Sequence, residues 1–292
     1  MNRRDAEHAA SVGATLGEGP VWIAADQALW FVDIKQQRVH RFDPATAAMK
    51  AWAAPDQIGW VLPAQGGGFL AGLANGLHRF SPESGSFDML VVVESDLPGN
   101  RLNDAAVDPS GRLWFGSMDN GETEATGRVY SWSGGTLRDS GIAPVTITNG
   151  PAIAPDGGML YAVDTLGRSI DAFVPTPDGS LSERRRFLTF DADDGHPDGA
   201  IADAEGGVWV AFYGGGAARR YTPDGVQTDE VRFPVTNITK IALGGADGRT
   251  AYATTASKGL DPPARAQQPL AGDLFTFRVD VPGVPTPLIR LE

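Results

Sequence analysis

The chain of 292 residues contains no cysteine, which excludes disulfides and every thiolate metal site. Histidine is nearly as scarce: His8, His40, His78 and His196 are scattered along the chain, and that spread argues against a His-rich zinc motif. Only His196 lies near a candidate ligand, and a loop position is the plainer reading for it. Long apolar runs are missing too, none approaching the roughly 20 residues that a membrane helix needs. The start, Met1 to His8, is polar and lacks the apolar stretch of a secretory signal, so a cytoplasmic location is expected. Basic residues are in deficit, 24 Lys and Arg against 36 Asp and Glu, for a net charge of -12. That charge repels phosphate backbones and anionic lipid, so neither nucleic acid nor a membrane is expected as a partner. No Gly-rich phosphate loop opens a helix, and no Ser-His-Asp set stands in a recognisable context. Gly214-Gly215-Gly216 follows a strand and reads as a turn. No segment longer than a turn keeps a helical period.

What the chain does have is a repeat. Short aromatic or β-branched strands recur at Leu29-Trp30-Phe31-Val32-Asp33, Phe69-Leu70-Ala71-Gly72-Leu73, Leu113-Trp114-Phe115-Gly116-Ser117, Leu160-Tyr161-Ala162-Val163-Asp164, Val208-Trp209-Val210-Ala211-Phe212 and Ala251-Tyr252-Ala253-Thr254-Thr255. Their starts lie roughly 40 to 48 residues apart, the period of a four-stranded propeller blade. Turns rich in Asp and Gly precede most of them: Asp108-Pro109-Ser110-Gly111, Pro155-Asp156-Gly157, Asp203-Ala204-Glu205-Gly206 and Ala246-Asp247-Gly248. Each unit therefore reads as inner strand, tight turn, second strand and outer hairpin. Six such units predict an all-β, six-bladed β-propeller with four-stranded antiparallel blades, a ring that removes most exposed sheet edges. No linker or composition shift divides the chain, so residues 1–292 are expected to form one propeller domain. The ring is expected to close through a strand near Ser11-Val12-Gly13-Ala14 paired with the last blade.

Polar residues at one phase of different inner strands must converge at one mouth of the channel. Counting back about ten or eleven residues from each second strand reaches Glu18, Asn103, Asn149 and Asp198; the two other blades give Ile58-Gly59-Trp60 and Thr239-Lys240-Ile241. Alone, each has a plainer reading: a solvated carboxylate for Glu18, turn pairs for Asn103-Asp104 and Asn149-Gly150, and a turn for Pro197-Asp198-Gly199. Yet Pro155-Asp156-Gly157 sits about five residues before its strand, where a hairpin turn belongs, while Asp198 sits about ten before its own. Two carboxylates and one or two amide oxygens suit one hard divalent cation, Ca²⁺, Mg²⁺ or Mn²⁺, with Zn²⁺ or Fe²⁺ also admissible. So few protein ligands leave positions open for water and substrate, as in catalytic sites.

These segments resemble the senescence marker protein-30 (regucalcin), gluconolactonase and luciferin-regenerating enzyme family. The resemblance rests on Leu16-Gly17-Glu18-Gly19-Pro20-Val21-Trp22, Arg101-Leu102-Asn103-Asp104, Gly111-Arg112-Leu113-Trp114-Phe115-Gly116-Ser117-Met118, Thr148-Asn149-Gly150-Pro151, Pro197-Asp198-Gly199 and Pro269-Leu270-Ala271-Gly272, in order over nearly the whole chain. Bacterial sugar lactonases of the xylonolactonase kind look most similar. The resemblance implies that Glu18, Asn149 and Asp198 ligate the metal and that Arg101 and Asn103 bind substrate. It also implies an acidic substrate contact just after Met118, for which Asp119 and Glu122 are both candidates. The expected reaction is metal-assisted opening of a small-molecule aldonolactone (glucono-, xylono- or arabinonolactone), by a monomer or weak homo-oligomer. Asp198 is the expected general base, with Asp104 as the alternative. Two rival readings are a metal propeller that hydrolyses aryl esters or organophosphates and a binding propeller whose ion only stabilises the ring. Hydroxyl-binding versus apolar loop linings separate the two enzyme readings.

Overall fold

A computed structural model describes residues 1–292. Six antiparallel sheets radiate from a central channel, and each inner strand packs against the next, the last against the first. The inner strands are Gly17–Ile23, Ile58–Pro63, Asn100–Val107, Thr148–Ile153, His196–Ala202 and Ile238–Gly244, which we number blades I to VI. All six second strands lie where the repeat places them: Ala28–Asp33, Phe69–Leu73, Leu113–Asp119, Leu160–Asp164, Val208–Tyr213 and Thr250–Thr255. The core lies between blades, where Trp30, Trp60, Trp114, Trp132 and Trp209 are buried. Helix is confined to one short segment, Pro262–Gln267, and one 3₁₀ turn; no helix is long and apolar enough to cross a membrane.

The ring closes through the N-terminus, but by a different segment from the one expected. Glu7–Ala10, not residues 11–14, forms the outermost strand of blade VI against Leu274–Arg278. Ser11 to Ala14 cannot serve, because the Asp273 carboxylate accepts the N–H groups of Val12 at 2.8 Å and Gly13 at 2.9 Å, and Gly13 has a φ of 66°. Before it, Asn2–Asp5 adds a fifth, parallel strand to blade V.

The two mouths of the channel differ. Inner strands start at the upper mouth and run down to the Asp-Gly turns, and second strands return upward. At the lower mouth the C-terminal segment crosses those turns: the Gly283 N–H bonds to Gly248 O, the Ile289 N–H to Pro63 O and the Arg290 N–H to Gly111 O, each at 2.9 Å. Ile289 is fully buried.

Candidate metal and active site

Every inner strand breaks register with its second strand at the same place: between Glu18 and Val21, Ile58 and Trp60, Leu102 and Ala105, Asn149 and Ala152, Pro197 and Ala200, and Ile238 and Lys240. A bulge re-aims side chains that regular alternation would send into the blade. Here it delivers Glu18, Asn103, Asn149 and Asp198, all buried, to one cavity of 210 Å³ at the upper mouth. The two other blades serve packing at this phase. A Cβ on Gly59 would come within 2.3 Å of Asn103 O, so glycine lets the blade III strand approach. Thr239 donates to Gly17 O at 2.6 Å, tying blade VI to blade I.

The cavity is lined by Leu16, Met118, Ile147 and Leu166 and otherwise by side chains that can hydrogen-bond: Glu18, Arg101, Asn103, Glu122, Asn149, Thr165, His196, Asp198, Tyr213 and Lys258. Arg101 Nη1 donates to Asn103 Oδ1 at 2.7 Å, Asn103 Nδ2 to Asn149 Oδ1 at 3.0 Å, and Asn149 Nδ2 to Thr165 Oγ1 at 2.9 Å. This relay fixes each amide with its oxygen and nitrogen assigned by their partners.

The carboxylates are treated quite differently. Glu18 accepts one N–H, from Gly19 at 2.9 Å, and Asp198 accepts no hydrogen bond from the protein; neither forms a salt bridge. Burial pushes the Glu18 carboxyl up to about 8, with the Asp104 charge adding to the rise. Burial likewise raises Asp198 well above the carboxylate range, and Glu18 and Asp104 raise it further. The two buried carboxylates have no ion-pair partner and feel only the more distant charges of Lys240, Arg101 and Lys258, an arrangement that a bound cation would complete. No three His, Cys, Asp or Glu side chains are placed together so as to hold a metal ion by themselves. A cation here would therefore rest on two carboxylates and the Asn149 amide oxygen, an all-oxygen set that fits a hard divalent ion.

Asp104, the alternative base, does not line the cavity. It lies beneath the two carboxylates, 2 % exposed, with Oδ1 2.5 Å from Lys240 Nζ and Oδ2 without a partner. Gly199 makes room for that lysine, since a Cβ there would meet the Lys240 side chain at 2.4 Å. Asp119 also lies outside the cavity. Its carboxylate accepts the N–H groups of Gly121, Thr123 and Glu124 and organises the loop, and these bonds lower its pKa to about 2. Glu122, from the same loop, lines the cavity and is ion-paired with Lys258. His196 opens the blade V inner strand and also lines the cavity, contrary to the loop position expected. Sequence reasoning missed Thr165, Tyr213 and Lys258. They stand at or just after the ends of second strands, which return to the same mouth.

The sequence model of the SMP-30/Gluconolactonase/LRE-like region matches residues 16–257. An L-arabinolactonase of Azospirillum brasilense is 37% identical over 276 residues, 93% of this chain and 91% of that one. A 6-deoxy-6-sulfogluconolactonase of Pseudomonas putida is 31% identical over 276 residues, 94% of this chain and 95% of that one. Among solved structures, a calcium-binding protein, regucalcin, from Agrobacterium tumefaciens superposes with a TM-score of 0.94 at 28% identity, covering 99% of both chains. The chain belongs to the SMP-30/gluconolactonase/LRE-like family.

Proposed function

With that membership as premise, we propose that the protein is a divalent-metal-dependent hydrolase that opens a sugar lactone to the sugar acid. The carrying observation is the pair of buried, unpaired carboxylates Glu18 and Asp198 in a cavity lined mostly by hydrogen-bonding side chains. That lining suits a polyhydroxylated ring better than an aryl ester, because each buried donor or acceptor left unmatched costs about 1–3 kcal/mol. The arabinolactonase and sulfogluconolactonase relatives support a sugar lactone, and the calcium-binding regucalcin supports a divalent ion.

Glu18, Asn149 and Asp198 would hold the ion, whose chemistry is to polarise the lactone carbonyl and make a nearby water more acidic. Asp198 would take the proton of the attacking water, because its carboxylate faces the cavity with no protein hydrogen bond to compete. Arg101 and Asn103, joined to each other, would hold substrate oxygens in a fixed geometry. The Asp104–Lys240 pair lies below the reacting groups and supports the floor.

The test is proton release from L-arabinono-, D-xylono- and D-gluconolactone and from phenyl acetate, with and without EDTA. Hydrolysis of at least one sugar lactone that stops with EDTA and returns with a divalent ion is expected. Faster hydrolysis of phenyl acetate would favour the esterase reading, and no turnover at all would leave a binding propeller.

A further inference from the structure

Three cations gather at the mouth of the cavity, Arg101 and Lys258 in its lining and Lys35 beside it at Asn120, in a chain of net charge -12. Arg101 is only 3% exposed, forms no salt bridge, and spends Nε and Nη1 on Asn120, Leu102 and Asn103, leaving Nη2 without a protein partner. The Asn120 amide oxygen that accepts Arg101 Nε at 3.2 Å also accepts Lys35 Nζ at 2.9 Å, and Lys35 Nζ donates in addition to Gln57 Oε1 at 2.8 Å, so both cations rest on neutral acceptors there and neither meets a carboxylate. Lys258 completes the set, paired with Glu122. Both lysines are held by their backbones. The fully buried Asp33 carboxylate accepts the Lys35 N–H at 3.1 Å. The Lys258 carbonyl accepts Tyr213 Oη at 2.5 Å and Asn237 Nδ2 at 2.9 Å, and its N–H bonds to Thr15 O at 2.8 Å. Burial lowers the Lys35 pKa, and Arg101 and Lys258 lower it further.

Three cations face one rim carboxylate, Glu122. The other carboxylates acting on Arg101 are Glu18 and Asp198, whose charge a divalent ion would offset. We propose that Lys35, Arg101 and Lys258 form a subsite for an anionic group carried by the substrate, so that the preferred lactones bear a phosphate, sulfonate or carboxylate on the carbon remote from the ring ester. The proposal rests on the lactone reading. The carboxylate released by ring opening arises at the floor, beside Asp198, so the rim would recognise an anion present before the reaction. An ammonium or guanidinium here makes charge-assisted bonds, roughly twice as strong as neutral–neutral ones, and an anionic acceptor adds the attraction of opposite charges.

Binding and turnover test this separately. Calorimetry on protein equilibrated with Ca²⁺ compares 6-phosphogluconate with gluconate; at least tenfold tighter binding of the phosphate is expected. The advantage should shrink with added salt and fall at least threefold in Lys35→Met/Lys258→Met, which leaves Arg101 in place. Equal affinities in the unaltered protein overturn the proposal, as does a preference undiminished by the double substitution, which would place the anion on the metal or on Arg101 alone. The same ratio is then read in kcat/KM for 6-phosphoglucono-δ-lactone against glucono-δ-lactone, with a value above ten expected. Should neither lactone be hydrolysed, the lactonase reading fails while the calorimetric ratio still decides the subsite.

Discussion

The tripeptide Pro-Asp-Gly occurs four times, and two of its copies, at 155–157 and 197–199, lie at the two ends of the channel and do different work. At 155–157 it lies in the lower turn of blade IV, where Asp156 is exposed and accepts the Gly158 N–H at 2.9 Å. At 197–199 it lies at the upper start of blade V, where Asp198 is 6% exposed and accepts nothing from the protein. Other carboxylates extend the contrast. Fully buried Asp203, in a lower turn, accepts the N–H groups of Glu205 and Gly207 and is 2.6 Å from Arg220 Nε. Asp108 accepts from Ser110, Arg112 and the Trp114 indole. Below, these acids are consumed by the fold; above, Asp33 and Asp119 are likewise consumed by their loops, and only Glu18 and Asp198 face the cavity nearly unsatisfied. An acid that is buried and unsatisfied is therefore a better guide to function here than burial or residue type alone.

The largest effect should separate the two tripeptides directly. Asp198→Asn is expected to lower kcat/KM at least thousandfold, about 4 kcal/mol, and to weaken metal binding while the fold survives. Asp156→Asn, the same change at the lower end, should leave kcat/KM within about twofold. Steady-state kinetics with metal analysis on both variants checks this, and comparable losses would erase the distinction between the ends.

Lys240 joins the two halves, its stem in the apolar lower chamber and its ammonium against Asp104. Lys240→Met strands a buried carboxylate that already has one unpartnered oxygen, and should cost about 3–5 kcal/mol of stability. Adding Asp104→Asn should restore part of that loss. Urea denaturation of the single and double variants measures it.

The upper carboxylates also set a pH dependence for the metal-free protein. Glu18 and Asp198 have raised pKa values in the folded state, so folding takes up protons. Stability is then greatest below the ordinary value of 4.5 and falls as pH rises toward about 8, by a few kcal/mol for Glu18 at about 1.4 kcal/mol per unit. Thermal melts in EDTA from pH 5 to 8 should show the fall, Glu18→Gln should flatten it, and a divalent ion should reverse it.

How much of this was legible follows the same geometry. The second strands carry dense aromatic and β-branched residues that must pack between blades, so their period stood out, and counting back from them reached Glu18, Asn103, Asn149 and Asp198. Counting forward would have reached the same mouth, because antiparallel neighbours end where inner strands begin. That route leads to Lys35, Glu122, Tyr213 and Lys258, but the loops there differ in length and hide the phase. Asp119 and Glu122 could not be told apart without seeing which carboxylate the loop's own N–H groups consume. The closing strand was placed a few residues late because nothing local in residues 11–14 reveals Asp273, distant in sequence, taking their N–H groups.

The smallest effect belongs to the lower mouth, where closure depends on packing and backbone bonds. Residues 284–287 line the apolar chamber beneath Lys240, and Ile289 anchors the crossing by exchanging backbone bonds with Pro63 and Gln65, each at 2.9 Å. Its side chain is fully buried among the apolar residues of blades I to III. Ile289→Val removes one methylene and leaves those bonds intact, so about 1 kcal/mol of stability should be lost, seen as a lower urea midpoint at unchanged slope. Metal content and kcat/KM should stay within experimental scatter, because the Asp104–Lys240 pair and the six inner strands stand between Ile289 and the carboxylates. A change in kcat/KM of more than about threefold would mean that packing at the lower mouth positions Glu18 and Asp198, and the division of labour between the two ends would be wrong.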